Sequence, residues 1–66
     1  MTVKAPTIDY AKGYGYIVIE ASDGQDYMFD VPGSWSLEKA FDYAFSAFEE
    51  DYPTLKVVAA NDHWFL

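Results

Sequence analysis

Cysteine and arginine are both absent from this 66-residue chain, histidine occurs once, and no uninterrupted apolar run exceeds four residues, Tyr16 to Ile19 being an example. Without cysteine, neither a disulfide framework nor a thiolate metal site can staple the fold, and the chain is expected to tolerate a reducing compartment. Runs that short do not span a membrane. The N-terminus, Met1-Thr2-Val3-Lys4-Ala5-Pro6, lacks the apolar core of a signal peptide, so a cytoplasmic location is the expectation. The lone histidine, His63, leaves little material for catalysis, which needs a nucleophile, a base within hydrogen-bond reach and an orienting group. Its neighbour Asp62 points away from it in an extended chain, so no catalytic residue and no enzyme are expected. Glu49-Glu50-Asp51 is the one dense run of oxygen ligands, yet consecutive helical positions spread over about 200° and do not converge on an ion. No metal and no cofactor are expected.

What the chain does have is apolar bulk and negative charge. A domain this short buries only about 60% of the surface its unfolded form exposes, so its core must be dense. With 52% hydrophobic and 20% aromatic residues, the composition supplies that density as a single domain, residues 1–66. Eleven Asp and Glu face four Lys, for a formal net charge of -7. A field of that sign repels phosphate backbones and anionic membranes and speeds encounter with basic surfaces. It also keeps an aromatic-rich miniature in solution, a role that needs no partner.

Residues 1 to 7 read as a short arm. Ile8 to Ala21, rich in tyrosine and β-branched residues, and Asp26 to Val31 read as two strands joined through Ser22-Asp23-Gly24. With Gly24 in the left-handed conformation, Ala21 opposes Gln25, Ile19 faces Tyr27 and Ile17 faces Phe29. Ile17, Ile19, Tyr27, Phe29 and Val31 then share one face, and Tyr16, Val18, Glu20, Asp26, Met28 and Asp30 the other. Pro32-Gly33 ends the hairpin. Ser36, with Ser34 competing, caps a helix from about Leu37 to Asp51 or Tyr52, stopped by Pro53. Leu37, Phe41, Ala44, Phe48 and Tyr52, flanked by Ala40, Ala47 and Phe45, form its expected core stripe. Leu55 to Ala60 reads as a third strand, and His63-Trp64-Phe65-Leu66 as an apolar terminus that docks. The predicted fold is α+β: a three-stranded antiparallel sheet in ββαβ order, with one helix covering one face and the other face left open.

Two acidic groupings stand out on this framework. On the helix, Glu38, Glu49 and Asp42 fall at about 100°, 120° and 140° from Leu37, a stripe about 16 Å long by helix rise, comparable to a few phosphates of a nucleic-acid strand. Phe45 borders it at about 80°, and Glu50 follows Glu49. On the sheet, Glu20 opposes Asp26, a like-charge pairing that costs stability, with Asp30 and Tyr16 on the same face. Glu38, Asp42, Glu49, Glu50, Glu20, Asp26 and Asp30 are therefore the candidate partner-binding acids, with Tyr16, Met28 and Phe45 as apolar anchors. An oligomerisation module using Tyr16, Val18 and Met28 is the rival of a different class.

Lys12-Gly13-Tyr14-Gly15-Tyr16-Ile17-Val18-Ile19 resembles the RNA-contacting octapeptide of RRM domains, differing mainly at its last aromatic position. In that family such aromatics stack on bases across an open sheet, and the register here puts Tyr14 and Tyr16 on the open face. The chain departs from the family in length, in the missing upstream strand and helix, and in charge, so direct nucleic-acid binding is not expected. Small size, strong acidity, absence of cysteine and ββαβ order together resemble phage-encoded anti-CRISPR proteins, in particular small acidic inhibitors of type I-C systems. That resemblance implies a monomeric, stoichiometric inhibitor that blocks the DNA-binding surface of a Cascade complex, in some cases by mimicking DNA charge, in the host bacterial cytosol. Asp30-Val31-Pro32 followed by Ser36-Leu37-Glu38-Lys39-Ala40 is similar to a passage of a small coliphage inhibitor of bacterial RNA polymerase, although the arginines that follow the helix there are missing here.

Overall fold

The structure, a computed structural model, describes residues 3–65. It is an α+β fold of three antiparallel strands and one helix: β1 (Tyr14–Ala21), β2 (Asp26–Pro32), α1 (Leu37–Asp51) and β3 (Val57–Phe65). β1 is central, in the order β2-β1-β3. The hairpin register is the one that residue counting gives, with Ile17 opposite Phe29, Ile19 opposite Tyr27 and Glu20 opposite Asp26. Gly24, at φ 83, supplies the left-handed turn residue and donates its N–H to the Ala21 carbonyl at 3.0 Å. Asp23 locks the same turn by accepting from the Gln25 N–H and, at 2.7 Å, from the Tyr27 phenol.

Two boundaries differ from the sequence reading. β1 starts at Tyr14 and not at Ile8, because Asp9 caps a single 3-10 turn, Tyr10–Lys12, accepting from the Ala11 N–H at 3.2 Å. Gly13, at φ 98, then re-aims the chain into the sheet. β3 begins two residues later than expected and runs on to Phe65, pairing Asn61, Asp62, His63, Trp64 and Phe65 with β1. Asn61 and Asp62 are weak strand formers, but the long central strand offers an unpaired edge that outweighs local preference. The terminus docks as strand through Phe65; Leu66, like Met1 and Thr2 of the expected arm, lies outside the described residues. Ser22 and Lys56 hold the start of β3 through two hydrogen bonds, before an irregularity in the register between Glu20 and Ala21.

Ser36, and not Ser34, caps α1, its hydroxyl accepting from the Lys39 N–H at 3.2 Å. At the other end the Tyr52 N–H closes onto the Phe48 carbonyl before Pro53 turns the chain away. The core contains Ile17, Ile19, Val31 and Phe48 with Ala21, Ala40 and Ala44. The buried helix face is Ala40, Ala44, Ala47 and Phe48, rotated by roughly 60° from the expected stripe. Leu37 is 50% exposed, Tyr52 is exposed, and Phe41 is half-buried. Size is the reason: three alanines let the helix settle closely onto β1 and β2, so that Phe48 is the one ring buried beneath it and the other rings lie at its flanks. On one flank Phe41 stacks on Phe45; on the other Tyr43 packs edge-on against Phe29 and Trp35.

Candidate partner-binding surfaces

α1 lies over β1 and β2, so one sheet face is covered and the other is open. This geometry divides the acids singled out from sequence into two groups on opposite sides of the molecule. Glu38, Asp42 and Glu49 are all exposed, and the rotation of the buried helix face places them about 135° to 175° from its centre. They form a line directed straight away from the sheet. The helix carries one basic residue, Lys39, and its ammonium sits 4.6 Å from the Trp35 ring centroid, held in a cation–π contact off the stripe. Glu50 departs from the line: its carboxylate accepts from the Val3 N–H of the N-terminal arm.

Phe45 is 38% exposed beside the stripe. Together with Glu49, Phe48, Pro53, Leu55 and Val57 it lines a groove of about 470 Å³ between the second half of α1 and the start of β3. The groove exists because α1 leaves β3 largely uncovered. Sequence periodicity had placed Phe45 beside the acids, and the structure adds an apolar recess next to it.

The second group occupies the open sheet face. Tyr16 pairs across to Asp30 on β2 and His63 on β3, Val18 to Met28 and Asn61, and Glu20 to Asp26 and Ala59. At one end of this face, rings from β1 and β3 stack: Tyr14 on Phe65 (centroids 5.2 Å), Phe65 on Tyr16 (5.7 Å) and Tyr16 on His63 (4.9 Å). Tyr10 reaches in from the 3-10 turn, edge-on to Tyr14, and donates its phenol to Asp30 at 2.9 Å. That bond raises the Tyr10 pKa, because ionising the phenol would set two negative oxygens against each other. Phe65 and His63 were missed as surface residues of this face, since the third strand was expected to end at Ala60, and Tyr10 was missed separately, in the segment ahead of β1. Extending the alternation past Asn61 would have found Phe65 and His63; Tyr10 has no such signal, because a capped turn and not strand parity places it.

His63 and Asp62, the adjacent pair weighed for catalysis, point to opposite faces: His63 stacks on Tyr16, and Asp62 accepts from the Trp64 indole N–H at 2.7 Å. Among the described residues no group of three or more His, Asp or Glu side chains is placed to hold a metal ion. Nor, among them, is any helix long and apolar enough to cross a membrane. Comparisons with protein-family models, with curated proteins and with solved structures found no match.

Proposed function

We propose that this chain is a stoichiometric inhibitor whose acidic helix occupies a basic, nucleic-acid-binding surface on a partner protein. The partner suggested by the resemblance to small acidic anti-CRISPR proteins is a Cascade complex, whose target-DNA site would be blocked in the bacterial cytosol. The observation that carries the reading is the line of Glu38, Asp42 and Glu49 on the outer face of α1, free of any lysine of its own helix. A groove that tracks a phosphate backbone presents lysines and arginines in a row, and a straight row of carboxylates about 16 Å long meets several of them at once. Exposed ion pairs contribute only ~0.2 to 1 kcal/mol each. Tight binding therefore needs an apolar anchor as well, and Phe45 with the groove beside it is placed to supply one.

The test is binding of the purified chain to a purified type I-C Cascade at low and high salt, followed by target-DNA binding of the complex. The reading predicts retention at low salt, release at high salt and loss of DNA binding, with Glu38→Lys plus Asp42→Lys abolishing the retention and leaving DNA binding intact. Unchanged affinity of that double variant would remove the helix stripe from the interface. Retention of bacterial RNA polymerase in place of Cascade would move the same charge chemistry to the other resemblance. A salt-insensitive dimer would point to the oligomerisation module.

A further inference from the structure

The open sheet face lies opposite α1, and its chemistry selects an occupant independently of the helix stripe. No lysine stands on β1, β2 or β3, and the chain has no arginine, so His63 is the only basic side chain on the sheet. Asp30 marks one end of the face on β2, and Asp26, directly opposite Glu20, marks the other. Four residues of strand separate Asp30 from Asp26, about 13 Å. Between them Met28 is 61% exposed beside Val18, and Asp30 stands directly opposite Tyr16 and accepts from the Tyr10 phenol, while Phe65 and His63 stack on the far side of Tyr16, across β1.

This arrangement disfavours two occupants on charge. A nucleic acid would bring phosphates onto three carboxylates with no lysine or arginine to receive them. A second copy would set the same carboxylates against each other, with a net charge of -7 on each chain. A cation is what the face lacks. The Glu20 and Asp26 carboxylates stand opposite one another without a cation between them on the sheet, a repulsion that one guanidinium lying over both would relieve. At the other end, a planar guanidinium can fork onto Asp30 and stack on the neighbouring rings, which an ammonium does less well. Asp30 retains acceptor capacity while it accepts from Tyr10, because an ionised carboxylate offers about four lone-pair sites.

We infer that the open face binds an extended segment of a partner protein carrying two arginines four residues apart with an apolar residue midway. In extended chain, residues i, i+2 and i+4 point the same way and i to i+4 spans about 13 Å, the separation of Asp30 and Asp26. One arginine meets Glu20 and Asp26, the apolar side chain covers Met28 and Val18, and the second arginine meets Asp30 beside Tyr16.

The probe is a synthetic peptide, Gly-Arg-Gly-Leu-Gly-Arg-Gly, titrated into the isotopically labelled full chain and followed by amide chemical shifts. Companion titrations use the same composition with adjacent arginines, the lysine version and an oligouridylate. The expected result is saturable shifts confined to open-face residues of β1, β2 and β3, with about fivefold weaker binding of the adjacent-arginine and lysine peptides. Asp30→Asn and Met28→Lys, both at exposed positions, should each weaken binding without changing the circular dichroism spectrum. Shifts confined to α1, equal affinity for all three peptides, or oligouridylate binding on the open face would each overturn the proposal. Because the readout is by residue, failure here leaves the helix-stripe reading standing, and failure of Cascade binding leaves this one standing.

Discussion

Gly15→Ala isolates one contact that the whole sheet depends on. Gly15 is buried in the central strand with the Trp64 indole lying over it on the helix side, opposite in register. A methyl carbon added there would stand 2.4 Å from Trp64 Cε3, 2.9 Å from Trp64 Cδ2 and 2.7 Å from the His63 carbonyl oxygen. Carbon pairs are comfortable at about 3.5 to 4.0 Å, so the ring has to withdraw by more than about 1 Å. The carbonyl belongs to the β3 backbone and cannot swing aside, and the indole is tethered to Asp62. Overpacking of this kind costs about 1 to 3 kcal/mol, and a clash with backbone puts it toward the upper end. A domain of this size has roughly 3 to 10 kcal/mol of stability in total. At about 4 to 8 °C per kcal/mol, a loss of about 2 to 3 kcal/mol lowers Tm by roughly 8 to 24 °C.

Thermal melts followed by far-ultraviolet circular dichroism and by tryptophan fluorescence measure this directly. Gly24→Ala is the comparison, since its Cβ meets nothing within 4 Å and its cost, about 1 kcal/mol, is the left-handed backbone alone. A Tm for Gly15→Ala within a few degrees of the parent, or a larger loss in Gly24→Ala, would refute the steric argument.

Ser36→Ala removes the cap on α1 and should cost about 1 kcal/mol in denaturant melts, whereas Ser34→Ala should cost almost nothing; equal losses would mean that the cap is misassigned. The Tyr27 phenol, pushed up to about 12 chiefly by its hydrogen bond to Asp23, should appear in an alkaline absorbance titration as a late phase that Tyr27→Phe deletes. Because its folded pKa is raised, the stability this bond contributes is fully present below the ordinary tyrosine pKa near 10 and is lost as pH rises toward about 12. Asp23 is the acid-side counterpart. The Tyr27 phenol, then the Gln25 N–H, holds it below its ordinary value of 3.8, so its contribution is present above that value and fades as pH falls through the lowered one. An acid titration of stability that is unchanged by Asp23→Asn would contradict this.

Local rules carried much of this protein. Turn chemistry at Asp23-Gly24 fixed the hairpin register, and with it the sides on which Tyr16, Met28, Glu20, Asp26 and Asp30 stand, because side-chain direction in a strand follows from counting alone. Ser36 and Pro53 bounded the helix, since a cap and a breaker act within a few residues of themselves. The order of strands and helix was legible for the same reason.

What required tertiary structure was every choice made between distant segments. The helix turned its alanine row to the sheet because close approach favours small side chains, a preference that depends on what lies opposite and that hydrophobic periodicity does not encode. β3 continued through Asn61 and Asp62 because β1 had hydrogen-bonding groups to fill there, and only that extension brought His63 and Phe65 onto Tyr16. The acids were already two groupings by helix angle and strand parity, and the rotation of the helix on the sheet set the direction in which its own stripe faces. Composition set how much charge the chain carries; the packing of one helix on three strands decided where it points.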